Sequence, residues 1–160
     1  MEKIIDIYGQ NKKYGEDYIR DNSWYGRILM GEDQQFEGVV EDYFGENYFL
    51  IFGQLTEDSM ELTRCALEDK ELPSIYEGLK IKNKIKGAFR NTDSYVKYAP
   101  LGVCQISLIP ADATREETDA ERENIRKKVA QMKSRLGQMG TNLEKSFNRG
   151  RNSIPQKTQK

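Results

Sequence analysis

The chain has 160 residues and a formal net charge of −1, with 32% charged residues, no histidine and two cysteines, Cys65 and Cys104. That length suits one domain of ordinary size and is too short for two full ones. Imidazole-based catalysis, zinc fingers, Cys-ligated clusters and disulfide scaffolds are excluded, and no metal or cofactor is expected.

At the N-terminus, Met1 to Ile7 has acids inside a short apolar run, unlike a signal peptide. No segment approaches 18 consecutive apolar residues, so no membrane span is expected. A cytoplasmic protein with two free thiols is the default expectation, with a Cys65–Cys104 disulfide as the alternative. Lys3–Tyr8 reads as a helical turn or an edge strand before Gly9. Aromatic and β-branched runs then recur between turn residues, as strands do. They are Trp24–Met30, Phe36–Tyr43, Tyr48–Leu55, Ser59–Leu67, a long run from Tyr76 to Phe89, and Gly102–Ile109. Connections of a few residues imply hairpins, and hence an antiparallel up-and-down meander. The regular spacing predicts a mainly β barrel or curved sheet over 1–111, with glycines such as Gly26, Gly38, Gly53, Gly78 and Gly87 at its bends.

After Pro110 the composition changes. Residues 1–111 carry 13 Lys+Arg against 19 Asp+Glu, a net −6, whereas residues 112–160 carry a net +5. An amphipathic helix is expected over 112–147, capped by Asp112 or Thr114. Its apolar seam is Ile125, Val129, Met132, Leu136, Met139 and Leu143, a heptad stripe. With Val129 and Leu136 at position a, the flanking e and g positions are Arg126, Lys128, Lys133 and Arg135, all basic. Like charges there oppose a homodimeric zipper. The seam therefore suits its own acidic barrel, a neighbouring copy's barrel or an acidic protein partner, and a short amphipathic core helix is the plain alternative. Residues 148–160 read as a disordered basic tail. The acidic body argues against a nucleic-acid role.

Little of this chain carries a chemical motif. Lys80, Lys82, Lys84 and Lys86 alternate with apolar residues, giving four ammoniums on one strand face. They form either an anion-binding strip or an edge guarded by lysines. The acid pairs Glu41-Asp42, Glu57-Asp58 and Glu68-Asp69 lie near turns, with adjacent side chains on opposite faces. Ser94-Tyr95-Val96-Lys97 matches S-x-x-K without its companion motifs. A binding or interaction protein is expected rather than an enzyme.

The segments Trp24-Tyr25-Gly26, Phe36-Glu37-Gly38-Val39-Val40 and Tyr48–Gly53, on a meander with a Trp-bearing early strand, resemble the calycin superfamily of lipocalin-like small-ligand barrels and bacterial proteins of that fold. The resemblance covers residues 20–110. Asn22 stands two residues before the Trp, where the lipocalin signature has Gly. The resemblance implies a barrel with a pocket for a small apolar ligand. On that analogy Trp24, Tyr25, Phe36, Tyr48, Phe52 and Tyr76 line the pocket, and most other aromatics fill the core.

Overall fold

The computed structural model describes residues 2–66, 73–91, 100–110 and 118–138. Eight strands pair in sequence order and close into one antiparallel barrel. They are β1 (Lys3–Lys13), β2 (Ser23–Met30), β3 (Gln35–Asp42), β4 (Tyr48–Leu55), β5 (Ser59–Ala66), β6 (Ser74–Ile81), β7 (Lys84–Asn91) and β8 (Gly102–Pro110). The ring closes between β1 and β8, where Ile7 faces Leu108 and Gly9 faces Ile106. A 3-10 turn, Arg20–Asn22, leads into β2, where the Ser23 hydroxyl donates to the Arg20 carbonyl at 2.6 Å. The helix α1 (Asp119–Gln138) follows the barrel.

The segment Lys3–Tyr8, open between turn and strand in the sequence, belongs to an eleven-residue strand. The run from Tyr76 to Phe89 is two strands, not one. A turn at Lys82-Asn83 folds it, with Lys82 in the left-handed region at φ 57°. That hairpin undoes the expected single lysine face. Residues directly opposite in an antiparallel pair share a face. Lys80 therefore lies on the inner face with Ile85, while Lys84 and Lys86 share the outer face with Ile81 and Leu79.

Alternation along each strand sorts two cores. Inward side chains include Ile7, Trp24, Ile28, Phe36, Val40, Ile51, Leu62, Tyr76, Ile85 and Ile106, and they form one cluster. An eight-strand barrel is just wide enough either to fill with its own side chains or to hold one small ligand. Ile28, Ile51 and Leu62 have no surface open to a water-sized sphere, so the barrel centre at these positions is packed solid. Two glycines show how tightly. A Cβ at Gly9 would overlap the Trp24 indole, and one at Gly53 would overlap the Glu61 carbonyl on β5.

The second core lies outside the barrel. Ile4, Leu29, Leu50 and Cys65 point outward and bury against Ile125, Val129, Met132 and Leu136 of α1, with Val39 and Phe52 packed alongside. This is why β4 reads as apolar on both faces: Phe49 and Ile51 point in, and Leu50 and Phe52 point under the helix. The helix starts at Thr118, whose Oγ1 accepts the backbone N–H of Glu121 at 3.1 Å. Thr118-Asp119-Ala120-Glu121 is the capping-box pattern. The expected caps Asp112 and Thr114, the seam residues Met139 and Leu143, and the tail 148–160 lie outside the described residues.

Candidate functional site

The basic residues flanking the seam of α1 divide into two rows. One row meets the barrel's acids: Arg126 Nη2 lies 3.2 Å from Glu2 Oε1, and Lys133 Nζ lies 2.7 Å from Glu37 Oε2. Buried Arg122 adds a bond from Nε to the Glu2 carbonyl at 2.9 Å and an ion pair to Asp119 at 3.1 Å. The other row, Lys128 and Arg135, has no carboxylate partner among the described residues. It looks across an open cleft of about 1280 Å³ between α1 and the outer wall of the barrel.

The floor and wall of this cleft come mainly from outward positions on β1, β2, β3, β4 and β8, and its other side from α1. Tyr8, Tyr25 and Tyr48 supply aromatic surface, and Val39, Ile109, Ile125 and Met132 supply aliphatic surface. Tyr25 stands directly across from Glu41, and Glu41 across from Tyr48. The hydrogen bond of Tyr25 to the Glu41 carboxylate pushes its phenol above the ordinary range, with desolvation and the Glu41 charge adding to it. Asp6 and Arg27, opposite one another on β1 and β2, form an ion pair at 3.0 Å on the cleft wall. The cleft thus offers an aromatic and aliphatic surface facing two cations. Three carboxylates also line it: Asp6 pairs with Arg27, Glu41 bonds Tyr25, and Glu121 stands on the first turn of α1.

The six aromatics expected to share one pocket divide between three places. Tyr25 and Tyr48 line the external cleft. Phe52 packs beside the helix on the same outer wall. Trp24, Phe36 and Tyr76 point into the barrel and pack in its core. There Trp24 meets Tyr76 edge-on at 5.8 Å, and Tyr76 stacks on Phe89 at 5.7 Å. The Tyr76 hydroxyl shares a long hydrogen bond with Asn11 Oδ1 at 3.4 Å, and burial raises its pKa. The Arg64 guanidinium sits over the Phe49 ring at 4.4 Å and near Tyr76 at 5.7 Å. The Lys80, Lys82, Lys84, Lys86 set surrounds the β6–β7 turn, away from the cleft.

Several cleft residues carry no sequence signal of their own. Tyr8, Asp6 and Ile109 join Tyr25 only because the barrel closes β8 onto β1 and β1 onto β2. Lys128 and Arg135 were visible as one side of the basic flank, but which side meets the barrel is set by packing. Cys65 and Cys104 are free and both buried. Cys65 lies beneath the helix and Cys104 inside the barrel, so they occupy opposite faces of the wall. Burial pushes the Cys65 thiol up to about 12 and the Cys104 thiol up to about 11. Among the described residues no cluster of His, Cys, Asp or Glu has metal-site geometry, and no helix is long and apolar enough to cross a membrane. The S-x-x-K residues Ser94 to Lys97 and the Glu68-Asp69 pair lie outside the described residues. No protein-family model matches the chain, and neither a curated protein nor a solved structure does.

Proposed function

We propose that the chain is a binding module of calycin-like architecture that takes a small amphipathic ligand in the cleft between α1 and the barrel wall. One observation carries the reading. A large cleft lined by three tyrosines and several aliphatic side chains faces Lys128 and Arg135, two cations with no carboxylate partner among the described residues. Binding sites combine an apolar lining with a few convergent polar groups. A flat apolar body with one anionic group satisfies both halves: the body lies on Tyr8, Tyr25 and Tyr48, and the anion meets the helix cations. The ligand then lies outside the barrel, because the barrel centre is taken by side chains. A helix-mediated protein interaction is the second reading. It would have to use the solvent face of α1, because the seam is spent on the barrel.

The test is a fluorescence titration with 1-anilinonaphthalene-8-sulfonate, a flat aromatic carrying one sulfonate. Saturable binding to the native protein is expected. Lys128→Glu with Arg135→Glu should weaken it at least about tenfold, equivalent to about 1.4 kcal/mol. Lys127→Glu, on the exposed side of the same helix, should leave it unchanged. Absence of saturable binding, or equal affinity in the cleft variant, would contradict the reading.

A further inference from the structure

Outside the cleft, two hairpins leave large apolar side chains bare. The β6–β7 hairpin exposes Leu79 by 70% and Ile81 by 74% on its outer face. The stretch 79–86 holds four lysines and no acid. Lys82, Lys84 and Lys86 are exposed, without an ion pair among the described residues. The β3–β4 hairpin exposes Tyr43 by 43% and Phe44 by 61%, with their rings edge-to-face at 5.2 Å. The stretch 41–46 around them holds three acids and no base. Asp42 holds the turn through Asn47 and the Glu46 backbone, which leaves the Glu46 carboxylate pointing to solvent.

Each of these knobs is what the other lacks. One is aliphatic with three exposed ammoniums, beside the β4–β5 turn whose Asp58 carbonyl accepts the Lys80 backbone N–H at 2.8 Å, and the other is aromatic with the Glu46 carboxylate beside it. We infer that the partner of each is the opposite knob on a second copy of this chain, joined head to tail. A single contact then covers the apolar side chains of these two hairpins and sets the lysines against Glu46. Like-to-like pairing of either knob would bring equal charges together.

Geometry sets the kind of assembly. In an up-and-down barrel, turns that follow odd and even strands leave opposite ends. The acidic knob follows β3 and the basic knob follows β6, so they lie at opposite ends. They also lie three strand positions apart round the eight-strand wall. Stacked head to tail along the barrel axis, one copy offers its two knobs to two different neighbours. The contact is therefore heterologous, and it propagates as an open chain or a larger ring. Its apolar content is a few side chains and its charges are exposed, so the association is weak and salt-sensitive.

Sedimentation velocity tests this with the full chain. At low ionic strength the wild-type mass should rise with concentration past that of a dimer, and about 0.5 M salt should return it to the 18.5 kDa monomer. One variant, Phe44→Ser with Glu46→Lys, loses the acidic knob. Another, Leu79→Ser with Lys84→Glu, loses the basic knob. Each alone should stay monomeric. Mixed in equal amounts, they should form dimers and nothing larger, because each retains one working knob. Wild-type protein that stays monomeric at every concentration overturns the inference, as does a mixture that fails to associate or grows past dimers. So does monomeric protein that sediments with phosphatidylcholine–phosphatidylserine vesicles through Leu79 and Ile81. Should a variant lose its fold by circular dichroism, amide shifts of the wild-type protein with rising concentration decide instead. Shifts confined to 41–46 and 79–86 support the contact, and shifts elsewhere overturn it.

Discussion

At the scale of single residues, the account turns on where each side chain points. Cys65 and Cys104 illustrate it: both are buried, on opposite faces of the wall. Native protein should therefore leave both thiols unlabelled by a disulfide reagent near pH 8, and denaturant should expose both. Their pKa values lie above the ordinary thiol value, so the folded state holds its thiol protons where the unfolded chain has released them. Stability should be unaffected below the unfolded thiol pKa of about 9 and should fall as pH rises from there towards about 11. Replacing both cysteines with alanine should remove that part of the decline in a pH-dependent denaturation series. Gly9 makes a second residue-scale case. A Cβ there meets the Trp24 indole, a bulky ring fixed in the core, so Gly9→Ala should cost about 1–3 kcal/mol in urea unfolding. A change within about 0.5 kcal/mol would show that the indole has room to yield. In the sequence Gly9 reads only as a turn, because its neighbour is contributed by another strand. Tyr25 and Tyr76 could not be assigned to outer cleft and inner core from their types, since an aromatic suits both. Only the parity of each strand separates them.

Elements were more legible than faces. Tyr48–Leu55 is a strand over the residues its apolar run marks, and the meander, the closed sheet and a following helix all match the periodic pattern. The β6–β7 hairpin was hidden because its turn carries Lys82 at φ 57° instead of the glycine that commonly marks such a bend. The sequence also carries the helix start in Thr118 and Glu121, which stand at capping-box spacing. How the helix is held makes a prediction of its own. Its seam buries Ile125, Val129, Met132 and Leu136, while Arg122 ties its first turn to Glu2. Val129→Asp with Leu136→Asp places two charges in that interface and should undock α1. Cys65 should then react with thiol reagent while Cys104 stays protected, since only Cys65 depends on the helix for cover. Equal reactivity of both thiols would mean that the barrel had come apart with the helix. Arg122→Ala should cost about 1.5–3 kcal/mol, the range for removing a buried hydrogen bond to a charged group. Lys133→Ala should cost at most about 1 kcal/mol, because its ion pair with Glu37 is solvent-exposed.

For the whole molecule, the division of charge between the first 111 residues and the remainder has a structural counterpart. Basic side chains of α1 rest on acids of the barrel through Arg126 and Lys133, and the leftover row, Lys128 and Arg135, faces the tyrosine wall. The net −1 gives no hint of this, and the location of the cleft depends on a docking angle that no local pattern encodes. The proposed binding function rests on that location. The most direct measurement is a map of amide chemical shifts as 1-anilinonaphthalene-8-sulfonate is added to the native chain. The account predicts changes at Tyr8, Tyr25, Glu41, Tyr48, Lys128 and Arg135 around the external cleft, with Ile51, Leu62 and Ile106 in the barrel centre unmoved. Changes centred on those interior residues, with the cleft silent, would contradict it.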